Sequence, residues 1–479
     1  MAKKIRWNFF LSNNANFKIC YFIFLSLNMI QFINVSIFSR LFLAMFSIWG
    51  LFFLLKQIFI QKFRSLNKTN IIWPICMLFT CFLSYLWNWD GQGLHNIFLL
   101  YYYILCVIIL YTPNLADKNN SELITISKSY TVLSAITATI CICMFFLQTQ
   151  IQIIGRSGSI MHIGMWENRL FGVFSSPNVG GTFFFIGIVL SIYLLYLIKY
   201  FKINRKWKYL CGVNVFMSMW YIALSLSRGT YLSLLLTYVI TFILYKIPQK
   251  DLSLSHHKRM PKFLLFCLIS VGVLASSFFL KECSLAIVNK CTQNDLVLER
   301  IEYRQTSELA LEQSFEPEPK AQIDISNKRF GIWKASIKLV MSSPFLGVGN
   351  SYIKLQQLSN TEKAKYSINE INMINWSAGN IHNGYLQILV SCGIFSLFFY
   401  VIFLLLCFIN VCNFFKHEQN IHTRNQCILS FSIVLYLLIN NLFETNMALM
   451  GTNSFQAAFW IFSGYVITYC KVYKEKNRL

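Results

Sequence analysis

Residues 329–352 read RFGIWKASIKLVMSSPFLGVGNSY, and after a polar run residues 380–386 read NIHNGYL and lead straight into an apolar stretch. Phe330, Trp333, Ile337, Val340 and Met341 recur at helical spacing, with Lys334 and Lys338 expected opposite. An apolar face carrying a Trp, backed by lysines, is the pattern of a helix lying in a membrane interface. The following SSPFLGVGNSY ends that helix in a turn whose glycines let backbone approach a neighbour closely. The stretch therefore reads as a surface structure of a membrane protein, and its surroundings decide the fold.

Of the 479 residues, 56% are hydrophobic, 17% aromatic and only 13% charged, too little polar material to cover a soluble protein of this size. Apolar runs fall at 17–37, 40–60, 71–88, 94–112, 129–149, 177–198, 209–226, 229–247, 263–280, 384–412, 426–443 and 455–470. Most have the length that crosses a hydrocarbon core about 30 Å thick as helix. The ten-residue alternation of a membrane barrel is absent from them. The expected fold is all-α and polytopic, with about twelve transmembrane helices. Helices one to nine occupy residues 1–280, a large outer loop containing helices covers 281–383, and helices ten to twelve lie in 384–479. The first span follows MAKKIR with no small-residue cleavage site after it, and reads as an uncleaved helix.

A formal charge of +23 raises the question of nucleic acid, but its distribution argues against that partner. Of 42 Lys and Arg, 26 lie in the terminal segments and alternate loops, including KYFKINRKWK at 199–208 and KIPQKDLSLSHHKRMPK at 246–262. Only four lie in the short loops of the other side. That asymmetry is the positive-inside signature, and it predicts both termini in the cytoplasm and loop 281–382 outside. Fifteen cysteines lie mostly inside apolar runs, where they act as small hydrophobes. Cys283 and Cys291 fall in the outer loop and are either a disulfide or two free thiols.

The four outer short-loop cations are Arg40, Arg156, Arg169 and Arg228, with no lysine among them. Arg40 reads as a helix-end residue snorkelling to the interface. Arg156 and Arg169 lie in IGRSGSIMHIGMWENRLFGVFSSPNVGG, whose glycines and Ser-Pro-Asn suggest a re-entrant or surface-lying piece. Arg228 sits in LSLSRGT, a turn so tight that the cation lies at or near membrane depth, costly unless it lines a wet cavity or meets an anion. Residues 281–328 hold nine of the nineteen acidic residues and read as a solvated cap. Arginine grips phosphate oxygens with paired bonds and keeps its charge when partly desolvated, so this cluster suits a lipid phosphate or diphosphate. His382, at the start of span ten, is a candidate general base for a hydroxyl nucleophile, or else an interface histidine. Glu167 and Glu444 are outer carboxylates able to orient it or to replace it as base, whereas His162 has a weaker setting. HExxH, P-loop and paired-carboxylate signatures are missing, so neither metal nor cofactor is expected.

These residues resemble the O-antigen ligase and polymerase superfamily of bacterial envelope glycan assembly. The matching pieces are R-x-x-G-x-F-x-x-P-N at Arg169 to Asn178, S-R-G at Ser227 to Gly229 and R-x-x-x-W at Arg329 to Trp333, followed by P-x-x-G-x-G at Pro344 to Gly349, H-N-x-Y-L at His382 to Leu386, and Gly393. The resemblance covers about residues 155–400. It implies a GT-C-like, metal-independent, inverting glycosyltransferase of the bacterial inner membrane whose donor is a glycan on undecaprenyl diphosphate. Carried over, Arg169 and Arg228 hold the diphosphate, Arg329 contacts substrate, Arg156 supports them and His382 activates the acceptor. The acceptor is a second lipid-linked unit, in a polymerase, or lipid A–core, in a ligase; a chain-length regulator is a candidate partner. Polymerase is favoured because two lipid diphosphates would use a larger outer cation set. A lipid-linked oligosaccharide flippase is the alternative from another class, although it has no use for a large outer loop with a histidine.

Overall fold

The computed structural model describes residues 13–61, 68–89, 93–112, 121–155, 160–166, 169–198, 203–246, 279, 282–284, 329–350, 363–377, 380–445 and 453–476. Five of their helices are long and apolar enough to cross a membrane: α3 (Ile37–Lys56, running on as a wider turn), α6 (Ser121–Phe146), α7 (Pro177–Ile198), α9 (Arg228–Lys246) and α12 (Gly384–His417). Around them pack α1 (Asn14–Leu27), α2 (Gln31–Asn34), α4 (Lys68–Trp87), α5 (Gly93–Leu105), α8 (Trp207–Ser225), α13 (Ile421–Asn440) and α14 (Ser454–Lys476). The expected first span is broken: α1 ends at Leu27, and the chain turns before α2. Two asparagines line the break: Asn34 Nδ2 donates to Asn28 O at 3.0 Å, and Asn28 Oδ1 accepts from Ser39 Oγ at 2.5 Å. Gln31 N then donates to Val173 O at 2.9 Å. Expected span 263–280 lies outside the described residues but for Phe279.

α7 is the central post, with every residue from Gly180 to Ser191 buried. Lipid chains are as apolar as leucine, so helices in a membrane associate through close packing and shared hydrogen bonds rather than hydrophobic burial. The sequence supplies both. Gly181 lies against Thr230 and Gly187 against Ser134, positions where a side chain would overlap the neighbour. Asn214 of α8 donates to Gly187 O at 3.1 Å and to Ser191 Oγ at 2.8 Å. At the end of the bundle away from the sheet described below, buried Lys18 pairs with Glu122 at 3.5 Å and donates to Thr112 O, which keeps a buried charge compensated.

α12 is two helices meeting at Gly393, whose φ of 77° no side chain adopts comfortably. The break frees backbone groups that membrane cannot satisfy, and the Pro344–Gly349 turn takes them up. Val348 N donates to Val390 O at 2.9 Å, Gly349 N to Ser391 O at 3.0 Å, and Ile394 N to Pro344 O at 2.9 Å. The glycines of this turn thus serve its approach to a broken helix. Gly393→Ala is expected to cost about 1–3 kcal/mol from a backbone conformation (φ 77°, ψ −178°) that is essentially glycine's alone, and a Cβ there would also strike Phe345 O. Thermal unfolding in detergent should show a clearly lowered midpoint; an unchanged midpoint would mean the turn does not hold the break.

Before that turn, α10 (Arg329–Ser342) buries Ile332, Ala335 and Leu339, and Ala335 and Leu339 form a small apolar cluster with Ile374 of α11 (Ile368–Trp376), Ile381 and Val390. Ser367 and Glu370 form a reciprocal cap at the start of α11, and Glu370 also pairs with Lys338 at 2.6 Å. Phe330, Ile337 and Met341 are 66%, 51% and 77% exposed, and Phe345 stacks on Phe395 of α12. The outward stripe is therefore mostly apolar and continuous with α12. Lys334 is exposed on that same stripe, not opposite it as the spacing suggested, because Ala335, Ser336 and Leu339 take the inner face.

The all-α expectation needs one correction. The segment after α6 is a three-stranded antiparallel sheet of β1 (Gln150–Ile154), β2 (Ile160–Trp166) and β3 (Arg169–Gly172). Its register pairs Gln152 with His162 and Trp166 with Arg169. The alternation in QIQII carries the strand signal, which the loop-like glycines obscured; Gly164 and Gly172 have positive φ and serve the bend between strands. The Cys283–Cys291 pairing and the acidic cap lie outside the described residues, Glu282, Cys283 and Ser284 excepted.

Candidate active site

Three helices begin at one place. α7 opens Ser176-Pro177-Asn178, with Ser176 Oγ accepting from Val179 N at 3.3 Å and proline at the first helical position, where no N–H is needed. α9 opens after Leu226, held at φ 50°, with Ser227 Oγ accepting from Thr230 N at 3.2 Å, so that Arg228 is its exposed first residue. α12 opens with Asn383 Oδ1 accepting from Leu386 N at 2.9 Å. Helix N-termini carry partial positive charge, and three together favour an anion.

Glu444, in the turn after α13, joins them. Its Oε1 accepts from Arg329 Nη2 at 3.0 Å and from Asn178 Nδ2. Its Oε2 lies 3.2 Å from His382 Nδ1. Its backbone O accepts from Gly384 N at 3.2 Å. Asn178 Oδ1 in turn accepts from Ser227 Oγ, which closes the circuit between α7, α9, α12 and the turn. Burial works to raise the Glu444 carboxyl; the His382 hydrogen bond and charge, Arg329 and Asn178 outweigh it and hold the group below its usual value. A carboxylate can only accept, so it sets the tautomer in which His382 carries its proton on Nδ1 and leaves Nε2 able to accept one.

His382 is itself in the left-handed region at φ 51°. That posture costs free energy and is imposed from both sides. His382 N donates to Asn380 Oδ1 at 3.0 Å, Thr445 Oγ1 donates to the same oxygen at 3.2 Å, and Trp333 Nε1 holds Ile381 O at 3.0 Å. Arg329 and its Trp333 therefore act together, one on the carboxylate and one on the histidine loop. Arg169, on β3, donates from Nε to Ser225 O at 3.1 Å, three residues before Arg228. The fold so brings His382, Glu444 and Arg329 into direct contact, with Arg169 and Arg228 tied alongside through residues 225–227 and Asn178. Arg156 and Glu167 lie outside the described residues. Sequence reading missed the parts played by Asn178 and Ser227. Both stood in quoted motifs, and Ser227 just before a helix was a capping signal.

With that geometry in view, comparison with known proteins adds one match over part of the chain. Residues 212–401 match the O-antigen ligase family model. The match supports the O-antigen ligase/polymerase superfamily, as the motifs implied. It takes in Arg228, Arg329 and His382, whereas Arg169, Asn178 and Glu444 lie beyond its ends yet fold onto the same site. No curated protein matches the chain. A multi-pass membrane protein with an O-antigen ligase match implies substrates that are themselves lipid-linked.

Proposed function

We propose that this protein is a metal-independent, inverting membrane glycosyltransferase that moves a glycan from undecaprenyl diphosphate to an acceptor hydroxyl on the outer side of the bacterial inner membrane. The observation that carries the reading is the His382–Glu444 contact, set beside three arginines and three helix N-termini. The acceptor hydroxyl gives its proton to His382 Nε2 as its oxygen bonds to the anomeric carbon from the face opposite the leaving group. The carbon–oxygen bond to the diphosphate breaks, and the electron pair leaves with undecaprenyl diphosphate. The leaving group is already good, so fixed cations that stabilise its growing charge supply what a metal would otherwise supply. Activity is expected to persist in chelator.

Arg169 and Arg228 are the diphosphate contacts in this scheme, while Arg329 holds Glu444 and borders the substrate. Arg169→Lys keeps the charge, but an ammonium cannot both hold Ser225 O and offer a planar fork. Transfer should fall roughly ten- to a hundredfold; near-normal turnover with lysine would reduce the arginines to bulk attraction.

Repeat-unit polymerase is the favoured form, with lipid A–core ligase as its rival inside the superfamily. Purified protein given lipid-linked repeat units alone should lengthen them; product that appears only when lipid A–core is added would make it a ligase. The scheme also requires about twelve spans with cytoplasmic termini. A reporter active only outside the cytoplasm should work when fused at Asn360 and fail at Lys206, and activity at Lys206 would invert the site.

A further inference from the structure

The sheet beside the site has an exposed face that the reaction above leaves unused. Exposure alternates along β1, so Gln150, Gln152 and Ile154 share the outward face. Across the register, Gln152 meets His162, whose ring lies 4.2 Å from that of Trp166 between centroids. Trp166 is the cross-strand partner of Arg169, which puts their Cβ atoms about 5 Å apart. The face thus runs from amides through an imidazole–indole pair directly to an arginine of the site.

Its chemistry fits a neutral polyol. Glutamine amides and imidazole each donate and accept, as hydroxyl groups do, while an indole offers an apolar plane to ring C–H groups. The indole Nε1 is turned back onto Ile163 O at 3.0 Å, so Trp166 presents its ring rather than its N–H. His162 Nδ1 is enclosed and has no hydrogen-bond partner among the described residues, so a sugar on the face would meet the rest of this half-buried ring. No carboxylate occurs on the face among its described residues.

We infer that this face is a sugar subsite, built by Gln152, His162 and Trp166, for the glycan of the lipid-linked substrate next to its diphosphate. The assignment rests on Arg169 as a contact for that diphosphate. A diphosphate held at the membrane surface sends its sugars outward, and from Arg169 the sheet is the adjoining structure in that direction.

The test uses full-length protein in nanodiscs and oligosaccharide released by mild acid from the host's lipid-linked pool, which carries neither lipid nor phosphate. Saturation-transfer NMR should detect its binding to wild type, at least tenfold weaker binding to Trp166→Ala, and recovery in Trp166→Phe. In transfer assays Trp166→Ala should raise KM for the lipid-linked substrate about tenfold with a much smaller change in kcat. His162→Ala and Gln152→Ala, at partly open positions, should shift KM the same way and guard against misfolding of the tryptophan variant. Unchanged binding and KM in all three would overturn the subsite. So would variants that lose affinity for sugar-free vesicles instead, since Ile154 and Ile160 at the hairpin tip would then be dipping into lipid. Trp166-dependent sugar binding by a wild-type protein that forms no glycosidic bond would leave the subsite standing and defeat the transferase reading alone.

Discussion

His382→Ala is expected to form glycosidic bonds about two to four powers of ten more slowly than wild type, the usual worth of a positioned general base. It should reach the membrane at normal level, because the side chain is 23% exposed rather than part of the core and contributes one hydrogen bond to the circuit. Donor binding should persist, since the arginines are untouched. The contrast between binding and turnover distinguishes a base from a structural histidine, whose loss would lower both. A variant that turns over normally would move the base role to Glu444, or to Glu167.

Glu444→Gln should do nearly as much damage with almost no change in shape. Arg329 and Asn178 both donate to Oε1, so the glutamine oxygen will take that side and its NH₂ will face His382 Nδ1. An amide that donates to Nδ1 forces the proton onto Nε2, the wrong tautomer for a base. Replacing the triad aspartate of serine proteases by asparagine works this way and costs about four powers of ten. We expect a loss of roughly two to four powers of ten in kcat with little change in KM. Stability provides a second readout. The folded carboxyl is held below its usual value, so the stability it contributes is fully present above the ordinary carboxylate range and is lost as pH falls through the lowered value. The gap in thermal stability between wild type and Glu444→Gln should therefore close on acidification. A gap that instead widens would mean the carboxyl is protonated in the folded protein.

Much of the membrane architecture was legible because a bilayer permits few solutions. Long apolar runs in α3, α6, α7 and α12 read directly as helices, and the glycines of Pro344–Gly349 announced a close approach. The target of that approach was hidden. Nothing local in SCGIF says that Gly393 breaks a helix, since the break exists only because a turn forty-five residues earlier fills it. The sheet was hidden by its glycines and by a pattern shared with surface-lying loops. At the candidate site, residue types pointed to the arginines and the histidine as candidates, while the partnership of Glu444 with Asn178 depends on four elements meeting far apart in the chain. Charge spacing also misplaced Lys334, because the inner face of α10 mixes Ile332 and Leu339 with the small Ala335 and Ser336, which a hydropathy pattern ranks low.

The most direct test of the account counts both products of one reaction. Purified protein in nanodiscs, given lipid-linked repeat units alone and with lipid A–core added, would be assayed together for new glycosidic bonds and for released polyprenyl diphosphate, with His382→Ala as the blank. The account predicts one polyprenyl diphosphate for each new bond, and neither product from the blank beyond background. Lipid-linked sugar carried across vesicles with no bond formed, or polyprenyl monophosphate released in place of the diphosphate, would contradict it.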